Sequence, residues 1–415
     1  MNLSLPSLII TLHVFTVLLL MALPSPVAAF SSVKPPFSNS KTSSNSSINK
    51  KPSASPVKLQ KQPEFQPGQV LLPSSPMDPV HFDTAAVANP VVLPPCDACD
   101  KWQMYYYGNN GFWANGSPCF LPTGSCGLAE SEDGIHWTKV KGSLVGKDGA
   151  VFGPSENPKD WDSLHVGVGD VVRISPDELH MYYFGGNPDE VAGSLPNGFR
   201  MRIGKARSLD NGRTWERMGM VLDYDNKEGL FASWPRIMKP KDECKPWQML
   251  YHSFDGSKWR VYGATSTDQG ETWTRRGLLL DAGTHKDSFD ANGIGTRAVV
   301  SPWRGGALMV YESVDPKGKH RLGAAFNTDP DGGDEWTKLQ RILLKDEGGP
   351  VAEPGKPPMH GWTTLVIGTP YLVNMPDGSL RMYHCGKDSD HGLAIGLVES
   401  EDSEVTPGFW KPVVV

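Results

Sequence analysis

Ser208-Leu209-Asp210-Asn211-Gly212-Arg213-Thr214-Trp215 and Ser266-Thr267-Asp268-Gln269-Gly270-Glu271-Thr272-Trp273 share the pattern Ser-x-Asp-x-Gly-x-Thr-Trp, and Ser131-Glu132-Asp133-Gly134-Ile135-His136-Trp137 is a form one residue shorter. The residue types suit a hairpin tip: Asp accepts backbone N–H bonds across the turn, Gly takes the positive φ, and Trp wedges the turn against a sheet. These aspartates are therefore read as structural rather than catalytic. Degraded copies run from Asn327-Thr328-Asp329 to Trp336 and from Ser400-Glu401-Asp402 to Trp410. Tryptophans 137, 215, 273, 336 and 410 lie 58 to 78 residues apart, enough for a four-stranded unit with variable insertions.

Working outward from the turns, each unit carries the same grammar. An opening strand is marked by Val91-Val92, Val171-Val172, Arg236-Ile237, Ala298-Val299 or Tyr371-Leu372. A second strand runs Met104–Gly108, Met181–Gly185, Met249–Ser253, Met309–Ser313 or Met382–Gly386, and a third runs Cys126–Glu130, Ile203–Arg207, Val261–Thr265, Leu322–Phe326 or Ala394–Val398. β-Branched and aromatic runs divided by Pro/Asp/Gly turns make an all-β chain. Five four-stranded antiparallel blades closing radially, a five-bladed β-propeller over residues 66–415, would solve the edge problem of each small sheet.

Composition agrees. Gly and Pro together make up 80 of 415 residues, and 9% of the chain is aromatic, which excludes a helical bundle and argues against disorder. Residues 66–415 hold 34 basic and 45 acidic residues, so nucleic acid is not an expected partner. Residues 1–29 are uncharged, with the apolar run Leu8–Leu23 and a small-residue cleavage pattern at Val27-Ala28-Ala29, and read as a signal or targeting peptide. Residues 30–65, rich in Ser, Pro and Lys, read as a disordered linker or a transit segment. The secretory pathway is the expected location, with the plastid as alternative, and no membrane anchor is expected in the mature form. Of six cysteines, Cys96, Cys99, Cys119 and Cys126 cluster. One or two local disulfides are expected there rather than zinc, and Asn115-Gly116-Ser117 is a candidate glycan acceptor.

The opening strands bring their starts to one axial funnel, and four copies place an acid near that start: Asp83 before Asn89-Pro90, Asp162 before His165 and Asp170, Glu228 before Trp234-Pro235, and Asp290 before Thr296-Arg297. The fifth has Thr363 before Thr369-Pro370. Carboxylates beside Trp161, Trp234 and Trp362 suit a sugar, moving protons and covering the apolar side of a ring.

On these repeats the chain resembles the five-bladed β-propeller glycosidases of the arabinanase, levansucrase and invertase group, and its turns resemble the Asp-boxes of sialidases. The resemblance implies three carboxylates: a base or nucleophile on the first blade, an orienting Asp, and a Glu general acid on a later blade. Where arabinanase-like members have Asp before Pro, this chain has Asn89-Pro90, as the related mannoside phosphorylases do. The catalytic set expected here is Asp83 as substitute base, Asp170 as orienting acid, and Glu312 or its rival Asp290 as general acid, with burial raising the Glu312 pKa. Asn89, Asp162, His165, Trp234, Arg236, Arg297, His360 and His384 are the expected substrate-binding residues, with no cofactor and no metal. The first functional reading is a monomeric glycosidase-like enzyme acting on a small carbohydrate or glycoside. The alternatives are a carbohydrate-binding propeller without hydrolysis, and a funnel reused for a lyase or isomerase step.

Overall fold

The computed structural model describes residues 65–75, 81–111, 121, 123–144, 147–188, 197–345, 361–363, 365–388, 392–400, 410–413 and 415. The expectations for residues 1–64, for Asn115–Ser117, for Cys119 and for His360 lie outside them. The described chain is β-structure with a single 3-10 turn, Gly361–Thr363.

Antiparallel pairing groups the strands into four-stranded units. The first is β2 (Ala86–Leu93), β3 (Trp102–Asn109), β4 (Ser125–Ser131) and β5 (Thr138–Lys139), with β6 (Ala150–Phe152) also on β4. The second is β7 (His165–Ser175), β8 (Glu178–Gly186), β9 (Arg202–Ser208) and β10 (Glu216–Leu222). β11 (Ser233–Met238) to β14 (Thr274–Leu280) form the third and β15 (Gly293–Trp303) to β18 (Thr337–Lys345) the fourth, with the parallel bridge Trp259↔Gly293 between them. The last contains β19 (Val366–Asn374), β20 (Leu380–Lys387) and β21 (Ala394–Ser400). The opening strands pack in a ring, β2 on β7, β7 on β11, β11 on β15, β15 on β19 and β19 on β2. The architecture is that of a β-propeller.

Which strands complete the last unit was not legible from the repeats. The outer edge of the last unit is made in two pieces: β22 (Trp410–Pro412) pairs Val398–Ser400, and β1 (Gln69–Leu71), from the other end of the chain, pairs Ile395 and Gly396. Gly68 N–H donates to the Val413 carbonyl at 3.0 Å. Val70 and Leu71 are buried in this seam. Deletion through Leu71 is expected to lower stability by about 3–6 kcal/mol, the transfer free energy of two aliphatic side chains. Urea unfolding measures it, and proteolysis should then cut first in β19–β21.

The quoted turns take the expected form and do more. Asp210 Oδ1 accepts the N–H groups of Arg213 and Thr214 at 3.0 and 2.9 Å, and Trp215 Nε1 donates to the Gly212 carbonyl at 2.9 Å. Each turn also receives a tyrosine from the preceding unit: Tyr383 OH donates to Gly134 O at 2.7 Å, Tyr105 OH to Asn211 O at 3.3 Å, and Tyr182 OH to Gly270 O at 3.3 Å. Trp137, Trp215 and Trp273 meet the same three rings edge-on at 6.1, 5.8 and 5.9 Å. The turns thus fasten one blade to the next.

The expected local disulfides are absent among the described cysteines: Cys96, Cys99 and Cys126 carry free thiols. Cys96 and Cys99 instead exchange backbone hydrogen bonds at 2.8 and 2.9 Å, and Cys126 is buried in the core against neighbours that include Phe152 and Tyr183.

Candidate functional site

Strand alternation sends successive residues of the second strand to different destinations. In β3, Tyr105 crosses to the next unit, Tyr106 stays within its own, and Tyr107 lines an axial cavity. The four acids in register all meet a cation of the outermost strand, and three of them also meet the tyrosine at the position of Tyr106. Asp83 Oδ2 accepts Tyr106 OH at 3.0 Å and Lys139 Nζ at 2.7 Å. Asp162 Oδ2 accepts Tyr183 OH and Arg217 Nε, both at 2.9 Å. Glu228 Oε2 accepts Tyr251 OH at 2.7 Å and Arg275 Nε at 3.1 Å. Asp290 Oδ2 accepts Lys338 Nζ at 2.5 Å. Each is a staple from the loop before the innermost strand to the outermost strand of the same unit. The tyrosine passes over a third-strand glycine: a Cβ at Gly127, Gly204 or Gly323 would come within 2.3, 2.7 or 2.9 Å of the Cζ of Tyr106, Tyr183 or Tyr311.

Asp83, Asp162 and Asp290, expected at the site, thus have their carboxylates held by cations of the outer strands. Burial alone would raise the Asp83 pKa, but the His81 bond and Lys139 bring it down to about 2, the range of an ion-pair partner rather than a base for neutral pH. The missed signal lay beside the turns. A cation stands two residues after Trp in Trp137-Thr138-Lys139, Trp215-Glu216-Arg217, Trp273-Thr274-Arg275 and Trp336-Thr337-Lys338, whereas Trp410-Lys411-Pro412 has none there and its unit has Thr363 in place of the acid.

Two other expected acids lie nearer the axis, each already engaged. Asp170 accepts Val171 N–H at 3.0 Å and Ile237 N–H at 2.7 Å, joining the second and third units. Burial raises its pKa while Arg236 opposes the rise. Glu312 accepts Thr296 Oγ1, His320 Nδ1 at 2.8 Å and Thr369 N–H at 3.1 Å. Its burial favours the neutral acid, yet the His320 and Thr296 bonds win and the pKa is lowered. The shift therefore runs opposite to the one expected from burial alone.

His165 and His384, the two expected histidines within the described residues, are both fully buried. His165 is fully buried against the Gly198 carbonyl at 2.9 Å and His384 is stacked on Trp362, and burial pushes both pKa values down to about 4. Trp161 stacks on Tyr183 at 5.4 Å. Like Trp362, it belongs to the staple layer rather than to the cavity.

Two concentric rings build the axial site. All five innermost strands shift register at the same place, between Ala88 and Val91, Val168 and Asp170, Ser233 and Arg236, Ile294 and Arg297, and Gly368 and Tyr371. Bulges of this kind re-aim side chains. Asn89, Trp234 and Thr369, each before a proline, sit there at φ 52°, 48° and 43°, a conformation costly for any non-glycine residue and for a tryptophan above all. The second ring is the second-strand position of Tyr107, Phe184, His252, Glu312 and Cys385.

Tyr107, Asn109, Phe184, Asn89, Trp234, Thr369 and Cys385 are among the residues around a cavity of about 40 Å³. Phe184 and His252 stack on Trp234 at 4.0 and 5.1 Å. Asn89, 2% exposed, donates from Nδ2 to the Val168 carbonyl and its Oδ1 has no partner; the Trp234 Nε1 has none either. Of the expected binding residues, Asn89 and Trp234 reach this cavity, and among the described residues no carboxylate lines it. Sequence reasoning missed Tyr107, Phe184 and Thr369, although aligning the five second strands places the first two in the column of Glu312.

With fold and site in hand, the comparisons fall into place. No protein-family model matches the sequence, and no curated protein does. Solved structures do. The β-1,2-mannobiose phosphorylase of Listeria innocua superposes with a TM-score of 0.56 at 15% identity, over 81% of this chain and 95% of that one. The α-L-arabinofuranosidase of Lactobacillus brevis gives 0.54 at 14% identity, over 80% and 97%. Sucrose-6-phosphate hydrolase of Lactobacillus gasseri gives 0.56 at 14%, over 84% and 64%. The chain has the β-propeller fold of these glycoside-processing enzymes.

Proposed function

We propose that the chain is a carbohydrate-binding propeller that engages the edge of a sugar at its axis and does not hydrolyse it. The observation that carries this reading is the lining of the axial cavity. Aromatic faces of Tyr107, Phe184 and Trp234 suit the apolar side of a sugar ring. The idle Asn89 Oδ1 and Trp234 Nε1 offer one acceptor and one donor for hydroxyls, and buried polar atoms of this kind call for a partner. Paired carboxylates are what hydrolysis requires, and the acids of the staples are held elsewhere. An enclosed volume of about 40 Å³ has room for about three water-sized groups, so the cavity admits a hydroxyl-bearing edge rather than a whole pyranose.

Calorimetry against a panel of plant oligosaccharides and aryl glycosides, with turnover assayed in parallel on the same protein, tests it. The expected result is saturable binding with no released sugar. Turnover lost in Glu312→Gln would overturn the non-hydrolytic reading, because it would give the buried glutamate the chemistry that its three donors argue against.

A further inference from the structure

Arg236 on β11 and Arg297 on β15 stand on neighbouring innermost strands and are 3% and 1% exposed. Arg236 Nε donates to the Arg297 carbonyl at 2.8 Å and its Nη2 to Pro370 O at 3.5 Å. Arg297 Nη2 donates to Trp234 O at 2.7 Å and to His252 Nδ1 at 2.9 Å. Three nitrogens are left over: Nη1 of Arg236, and Nε and Nη1 of Arg297, all buried and without partners.

Arg297 also has no carboxylate acting on it among the described residues. Asp170 is the carboxylate whose field reaches Arg236. Arg297 feels burial first and the Arg236 charge second, both pushing its pKa down. Glu312, the other buried acid of the ring, is engaged by Thr296, His320 and Thr369. His252 adds no charge, since burial and Arg297 hold its pKa well below the usual value. Arg297 is therefore a guanidinium with no carboxylate acting on it among the described residues, in a desolvated interior where an uncompensated ion costs several kcal/mol. Space lies close by: a Cβ added to Gly295, in the β15 bulge, would meet nothing within 4 Å, and the Gly295 backbone is bonded to His252, the ring that Arg297 contacts.

We propose that the propeller axis binds a small monovalent anion, of the size of chloride or formate, held by the idle N–H groups of Arg236 and Arg297. Its charge would face Arg297, and its contacts would give an acceptor to Nη1 of Arg236 and to one of the two idle nitrogens of Arg297. By joining β11 to β15 it would brace the third and fourth units beneath the cavity. This site is separate from the carbohydrate reading and stands or falls without it.

The test uses the full chain exchanged into sodium gluconate. Thermal unfolding is followed from 1 to 300 mM chloride, bromide or formate, with gluconate holding ionic strength constant. A saturable rise in Tm of about 3 °C or more is expected, and Arg297→Gln should abolish it. Crystals grown in bromide should show anomalous density between the two guanidiniums, a readout that does not depend on the variant folding. Ordered waters alone at that position, together with one Tm in all salts, would overturn the proposal. So would a rise in Tm that Arg297→Gln leaves intact.

Discussion

Replacing Lys139 with methionine is expected to lower the unfolding free energy by about 3–5 kcal/mol, and the double variant Asp83→Asn/Lys139→Met should recover more than half of that loss. The single change leaves the fully buried Asp83 carboxylate with Tyr106, His81 and Ser74 as side-chain partners and without its lysine. The double change removes the charge while Asn still accepts the tyrosine hydroxyl. Equilibrium urea unfolding separates the two, and a single variant as stable as the parent would refute the staple. The pH dependence carries the same signature. The folded Asp83 pKa of about 2 lies below the ordinary aspartate value of 3.8, so the stabilisation is complete above pH 4 and is lost as the pH falls through 2. It amounts to about 2 kcal/mol, a contribution that Asp83→Asn removes from the acid limb.

Trp234→Ala is expected to weaken sugar binding about 100-fold, because it removes the largest aromatic face of the cavity and the Nε1 donor together. Trp234→Phe keeps the ring between Phe184 and His252 and should cost about tenfold, the share of one hydrogen bond. Calorimetry with the best ligand of the panel gives both values. Equal affinity in Trp234→Ala and the parent would place the ligand elsewhere.

The fold was legible because its signals are local. Ser208 to Trp215 form a turn from their own chemistry, and the tyrosine, glycine and tryptophan columns recur in every unit or nearly so. The site was less legible because its decisive contacts span distance in sequence. Asp83 finds Lys139 56 residues later, and Asp290 finds Lys338 48 residues later. Read from the chain alone, acids in register before an innermost strand look like a catalytic ring. The tryptophan-plus-two cations that neutralise them are visible only once the outer strand is known to fold back over the loop. Asn89 and Trp234 were readable for the opposite reason: a residue before proline at a bulge is marked locally. Glu312 was placed in the right column, but the sign of its pKa shift depended on Thr296, His320 and Thr369, which belong to three further strands.

The seam at β1 and β22 has a mechanical meaning. Four of the units are each continuous in sequence, while the last is completed by both ends of the described chain, one hydrogen bond apart at Gly68 and Val413. Force applied to either end therefore does not spread around the wheel. It peels a three-residue strand from the β21 edge before any other blade feels the load, so the molecule opens as a ring with a latch, and whatever is tethered ahead of residue 65 pulls on that latch directly.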